Sequence, residues 1–217
     1  MLTLRRIKES IKIRTLNKVF RSALSPDIPK IVEAFGVQTT VKEKSTSIVT
    51  WLHPVDGWLK LNTDGSLADD RGGYGALIRN YNGDYITGLA GRLDLPSINL
   101  LELNAIEQGV LLGSSIYAHK LWIESDSTTA LAWLNGRGNT PWTAIRSLRN
   151  IHQYLDQLED WKATHIHREG NSPADILAAF QSMRGESIFL PGQLWNDLAE
   201  EIEKDRQATG YKLSGSH

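Results

Sequence analysis

Cysteine is absent from the 217-residue chain. That absence excludes disulfides, thiolate zinc sites and cysteine nucleophiles together, so any metal here takes oxygen or histidine ligands. No apolar run approaches the roughly 20 residues that a membrane-spanning helix needs. Net charge is nearly lacking too: 24 Lys/Arg against 25 Asp/Glu leave -1, which excludes polyanion binding by bulk charge alone. What is present, 41% hydrophobic and 23% charged residues, is the balance of a globular protein. The length suits one domain with appendages better than two domains.

The small net charge hides an asymmetry. Residues 1–50 hold 10 Lys/Arg and 4 Asp/Glu, a net +6. Residues 51–185 carry -4 and residues 186–217 carry -3. The chain therefore divides into a basic extension over 1–50, a domain over 51–185 and an acidic helical tail over 186–217. The first 25 residues carry Ser10, Ser22 and Ser25 with Glu9 as the one acid. Three readings of them stay open: an organellar transit segment, the stub of an upstream polypeptide, or a basic arm. The compartment is accordingly open among nucleus, cytoplasm and organelle.

Patterning predicts an order β-β-β-α-β-α-α-β-α. Trp58 to Asp64 reads as a strand ending on an Asp-Gly turn. Gly72 and Gly73 open a second strand, Tyr74 to Asn80. Asn82-Gly83 is a strong hairpin signal, so Asp84 to Gly91 returns antiparallel. Ser97 is placed to cap a helix that ends near Gly113. Leu121 to Asp126 is a fourth strand, followed by a short helix to Leu134. A helix from Trp142 to Leu158 and a strand from Trp161 to His167 come next. Ser172-Pro173 starts a helix to about Met183, and a charged helix runs from Leu194 to about Ala208. A three-strand meander followed by alternating strands and helices predicts an α/β fold: a five-stranded mixed sheet, its last two strands parallel to the first, with helices on both faces.

Four acids stand out. Asp64 and Asp126 end strands, where ligands gather in open α/β sheets. Singly, Asp64 could make a turn and Asp126 could cap a helix. Glu102 shares a helix stripe with Ile98, Ala105, Ile106 and Gly109, and a carboxylate facing a sheet is costly without a cation. Asp175 fits a capping box with Ser172. If the four converge, they repel one another and their pKa values rise. Hard divalent cations resolve this, and oxygen-only ligation suits Mg²⁺ or Mn²⁺.

These acids sit in motifs that resemble the ribonuclease H family. The nearest likeness is to the ribonuclease H-like domains of plant retroelement-derived, reverse-transcriptase-associated proteins. The carrying segments are Trp51 to Pro54 with Trp58 to Ser66, Gly73 to Arg79, Asn99 to Ala105, Ile123 to Ser127, and His165 to Ala178. The resemblance implies a ribonuclease H-like fold over about residues 51–183. It implies catalytic metal ligands at Asp64, Glu102, Asp126 and Asp175, holding two Mg²⁺ ions that Mn²⁺ could replace. It also implies a mobile histidine at His165, with His167 a nearby competitor. Contacts to an RNA/DNA hybrid are expected from Gly65, Ser66, Asn99, Ser127 and the backbone of Gly73 to Gly75. Asn171 matches a family asparagine, for which a turn role competes.

The function implied is endonucleolytic hydrolysis of the RNA strand of hybrids, with no membrane partner. The alternative is a catalytically silent or weak nucleic-acid-binding module of the same fold. The link from Trp133 to Trp142 carries Arg137 as its single charge, where bacterial ribonucleases H have a basic protrusion. The +6 extension is the expected substitute, because phosphate neutralisation dominates nucleic-acid affinity.

Overall fold

The computed structural model describes residues 48–68, 71–93, 95, 97–180, 186–207 and 211–212. Expectations for residues 1–47, for a helix reaching Met183 and for residues 213–217 lie outside these. Among the described residues the strands are β1 (Ile48–Val49), β2 (Leu59–Ala68), β3 (Arg71–Arg79), β4 (Tyr85–Arg92), β5 (Lys120–Ser125), β6 (Asp160–His165), β7 (Ser187–Phe189) and β8 (Tyr211–Lys212). The α-helices are α1 (Ile98–Ser115), α2 (Thr128–Leu134), α3 (Ile145–Leu155), α4 (Ser172–Ala179) and α5 (Asn196–Arg206).

The main sheet has six strands in the order β6-β5-β2-β3-β4-β7, and β1 pairs with β8 separately. β2, β3 and β4 form the antiparallel meander, while β5 lies parallel to β2 and β6 parallel to β5. The five-strand expectation is therefore one short. β7 holds three residues and pairs antiparallel with β4. So brief a run shows no period-2 pattern to find.

Two other boundaries and one cap differ from expectation. β2 does not turn at Asp64-Gly65 but runs on to Ala68, paired with β3 at every residue from Lys60. Gly65 is there for helix packing: a Cβ would stand 2.6 Å from the Glu102 amide nitrogen. The helix expected from Trp142 begins as a 3-10 turn over Trp142–Ala144 and is regular only from Ile145. At Ser97, the N-cap of α1, the backbone is extended but the hydroxyl makes no capping bond.

One face of the sheet is covered by α1, α2 and α3. Leu61, Ile78, Leu103, Ile106, Val110, Leu121, Ile123 and Ile151 form its core, all at most 2% exposed. Each such side chain contributes about 1.5–3 kcal/mol by leaving water. Close approach of α1 needs Gly109, whose Cβ would meet Leu61 Cδ1 at 2.7 Å. The opposite face carries α4 and α5 over Leu77, Ala90, Ala174, Leu177, Leu198 and Ile202. Here the acidic tail helix is packed on the domain by its Leu198-Ile202 stripe, at the i, i+4 spacing of one helix face.

Beside that second core the sheet is polar. Lys60 lies between the rings of Trp51 and Trp122, and Arg79 stacks 3.7 Å from the Trp51 ring. Burial lowers Lys60 to about 8 although Glu124, 2.9 Å away, opposes the shift. Cations over indole faces stand in for an apolar layer along this strip.

Candidate metal centre

Parallel pairing of β2 with β5 puts Thr63 opposite Ser125. Asp64 and Asp126, each one residue further on, therefore come side by side beyond that last pair. Glu102 arrives from the first turns of α1, and its Oε2 accepts a hydrogen bond from the Gly65 amide at 3.0 Å. One carboxylate oxygen from each of Asp64, Glu102 and Asp126 lies within 4.8 Å of the others. Ser127, not Asp126, caps α2: its hydroxyl accepts from the Ala130 amide at 3.2 Å. That leaves Asp126 to face the other acids. Its Oδ1 is buried and accepts no hydrogen bond.

Electrostatics agree with a cation-seeking cluster. Burial, then the charges of Glu102, Asp126 and Asp175, push Asp64 up to about 9. Burial and then Asp126 push Glu102 up to about 8, against the pull of the Gly65 N–H. Asp126 is raised as well, chiefly by burial. Two buried carboxylates and a half-buried third, which cannot all ionise without a counter-charge, are a chemical fit to hard divalent ions.

Asp175 stands at the edge of this group. The capping box expected with Ser172 does not form: Asn171 is the N-cap of α4 and makes no side-chain capping bond, and Ser172 is already helical. Instead Arg168 Nη2 donates to Asp175 Oδ1 at 2.8 Å. The nearby acids, Asp175 first, raise the Arg168 guanidinium further. Arg168 is a site residue that the sequence reading missed. Its signal was a lone cation between His167 and Asp175.

The remaining residues divide. His165 is exposed at the end of β6, with its ring centroid 5.5 Å from that of His167. Asn99 and Ser66 are half-buried on α1 and β2. Asn171 is 1% exposed and hydrogen-bonds Asn62 and the Thr63 carbonyl, so it serves the scaffold rather than a substrate. Gly75 and Gly73 are also corrected. A Cβ on Gly75 would meet the Ala178 nitrogen at 2.4 Å, and one on Gly73 the Ala178 oxygen at 2.2 Å. These glycines admit α4, not a sugar. The link between α2 and α3 turns on Gly136 (φ +66°) and Gly138 (φ +79°). Past it, an open groove of about 720 Å³ between α1 and α3 is lined by Leu100, Asn104, Trp142, Arg146 and Arg149.

Sheet order and the acid cluster together define a ribonuclease H-like α/β domain. RNase H1 from the halophilic archaeon Halobacterium salinarum NRC-1 shares the fold at 19% identity, over 56% of this chain and 94% of that one, with a TM-score of 0.53. The N-terminal RNase H domain of a Mycobacterium tuberculosis protein, solved as a fusion with maltose-binding protein, does so at 17% identity over 56% and 90%, also at 0.53. In sequence, the chain is 26% identical over 137 residues to an Arabidopsis thaliana protein named "Putative ribonuclease H protein". That match takes in 61% of this chain but 22% of the relative's length. Residues 62–181 match the family described as reverse transcriptase-like. The match covers more than half of the chain, and the protein belongs to that family.

Proposed function

We propose that the protein is a metal-dependent endonuclease that hydrolyses the RNA strand of RNA/DNA hybrids. The observation that supports this most is the meeting of Asp64, Glu102 and Asp126 within 4.8 Å, with Asp126 Oδ1 buried and unbonded. Asp64, Glu102, Asp126 and Asp175 would hold two Mg²⁺ or Mn²⁺ ions. When bound, such ions supply an activated water and charge neutralisation at the scissile phosphate.

The chain's own residues do the rest. Gly65 fixes the Glu102 carboxylate by its N–H. The Ser127 cap turns the chain so that Asp126 points to Asp64 rather than to the α2 backbone. His165 hands a proton to the departing 3′ oxygen from its exposed strand end. Asn99, at the start of α1, reads the minor-groove side. Trp142, 83% exposed, with Arg146 and Arg149, offers the stacking face and cations that the short α2–α3 link does not. The basic extension over residues 1–50 adds phosphate neutralisation.

The test is cleavage of an end-labelled hybrid with Mg²⁺, against Asp126→Asn. Internal cuts in the RNA strand that need both Mg²⁺ and Asp126 are expected. A second reading has one observation in its favour: Asp175 is paired with Arg168 instead of standing with the other three acids. On that reading the domain binds hybrid and cuts weakly or not at all. Hybrid binding without Mg²⁺-dependent products would establish it.

A further inference from the structure

Behind the acid cluster runs a chain of buried polar side chains that begins far away in sequence. Asp205, on the tail helix α5, and Arg79, at the end of β3, are both 0% exposed and pair at 2.5 Å. Arg79 Nη2 donates to Asn62 Oδ1 at 2.7 Å, and the Trp51 indole N–H donates to the same oxygen at 3.0 Å. Both are donor-only groups, so the Asn62 carboxamide has one orientation. Its Nδ2 must face acceptors, and it donates to Asn171 Oδ1 and Glu124 Oε2, both at 3.2 Å. Asn171 is thereby oriented as well, and its Nδ2 donates to the Thr63 carbonyl at 2.9 Å. Donation runs one way, from the Arg79 cation to the backbone of β2.

The ends of this relay matter. Thr63 adjoins Asp64. Asn171 is the N-cap of α4, the helix that carries Asp175. Glu124 lies two residues before Asp126 on β5. The relay therefore joins the three elements that bring three of the four carboxylates. Asp205 supplies the charge that lets Arg79 be buried there, since a buried cation whose acid is removed is strongly destabilising. Neither residue touches the acid cluster.

We propose that Asp205 and Arg79 are positioning residues for the metal centre. Through Asn62 and Asn171, the C-terminal helix sets where Asp64 and Asp175 stand relative to each other. This rests on the metal-dependent reading above, and assigns a role to a tail helix that lies outside the family match.

The test uses the full chain and Mn²⁺ as the probe. Asp205→Asn keeps the shape and removes the charge. Calorimetric Kd for Mn²⁺, kcat and KM on a hybrid, and the melting midpoint are read together, with binding and kinetics measured well below the midpoint. Expected is a Kd weakened roughly 10–100-fold, as for lost outer-shell partners of metal ligands. kcat falls with it, while KM for the hybrid stays within about twofold because substrate contacts are untouched. A purely structural role would lower the midpoint and leave Kd unchanged, which would overturn the proposal.

Asn171→Ala cuts the last link with the Arg79–Asp205 pair intact, and it decides the matter alone if Asp205→Asn does not fold. The same loss of Mn²⁺ affinity is expected, and a wild-type Kd overturns the relay. In the double variant the losses should be less than additive, as for one network; strict additivity also overturns it. If the wild-type chain binds no Mn²⁺, the metal-centre reading itself fails. Wild-type binding with unaffected variants defeats the relay alone.

Discussion

Arg168 Nη2 lies 2.8 Å from Asp175 Oδ1, so the outermost of the four carboxylates is held by a cation of its own chain. The pair is largely solvent-exposed, with Arg168 76% and Asp175 39% accessible. Exposed pairs of this kind are worth about 0.2–1 kcal/mol. An incoming ion can displace Arg168 at that cost. Arg168→Ala should therefore tighten divalent-ion binding by a factor of about 1.5–5, the equivalent of that energy. Calorimetric titration with Mn²⁺ checks it; an unchanged or weaker Kd would show that the arginine does not compete for Asp175.

Asp64 and Glu102 make stability depend on pH in an unusual direction. Their folded pKa values, about 9 and about 8, lie above ordinary carboxylate values. Between roughly pH 4 and pH 9 the folded chain holds more protons than the unfolded one, so this contribution is lost as pH rises through that window. Without divalent ions the melting midpoint should fall from pH 5 to pH 9. Asp64→Asn should flatten the fall, and saturating Mg²⁺ should reverse much of it. Each 1 kcal/mol moves the midpoint by roughly 2–4 °C at this size. A midpoint that rises with pH in the ion-free wild type would contradict the assignment. Asp64→Asn should also abolish cleavage with the fold retained.

Much of this was legible in the sequence because the informative features are local. Asn82-Gly83 marked its hairpin, and Gly83 has φ +78°. Alternating strands and helices gave the mixed sheet and its parallel β2–β5–β6 edge. The buried carboxylate of Glu102 showed as an acid on an apolar stripe, and it is 7% exposed. What stayed hidden depends on contacts between distant segments. Gly65 looked like a turn residue because nothing in Asp-Gly-Ser says that α1 crosses there. Gly73 and Gly75 looked like ligand-facing glycines, but α4 lies on them. Asp205 sits among the charges of a helix that reads as solvated. It is buried in a pair with Arg79, 126 residues away in sequence, which no periodicity records.

His165 and His167 are alternate residues on and just past an edge strand, with rings 5.5 Å apart. Both are exposed, so position alone does not rank them. The ten-residue spacing to Asp175 favours His165. His165→Ala should slow single-turnover cleavage by about 10²–10⁴, the usual worth of a proton-handling side chain. His167→Ala should stay near wild type. The reverse pattern would move the role to His167.

Deleting residues 1–45 should weaken hybrid binding without altering cleavage of bound substrate. That segment holds all of the +6 of residues 1–50, whereas residues 51–185 carry -4. Each phosphate neutralised contributes about 0.7–0.9 to the slope of log affinity against log salt. The deletion should flatten that slope by several such steps. An unchanged slope would transfer the phosphate grip to Arg146 and Arg149 beside Trp142.

Substrate choice should rest on the 2′-hydroxyl. It is donor and acceptor at once, and it is what distinguishes RNA from DNA at a given site. Asn99 stands half-buried one residue into α1, three residues before Glu102. Its side chain is still reachable from outside, whereas that of Asn62, two residues before Asp64, is fully buried. With Gly73 and Gly75 against α4 and Gly65 against α1, the sugar contacts should come from Asn99 and Ser66. Of four end-labelled duplexes of one sequence, the RNA strand of the hybrid should be cut internally. Duplex RNA should be cut poorly and duplex DNA not at all. Asn99→Ala should raise KM alike on every sequence, because the 2′-hydroxyl is common to all nucleotides of the RNA strand. Duplex DNA cut as fast as the hybrid would mean that the acid cluster selects no sugar, and that Asn99 does not read one.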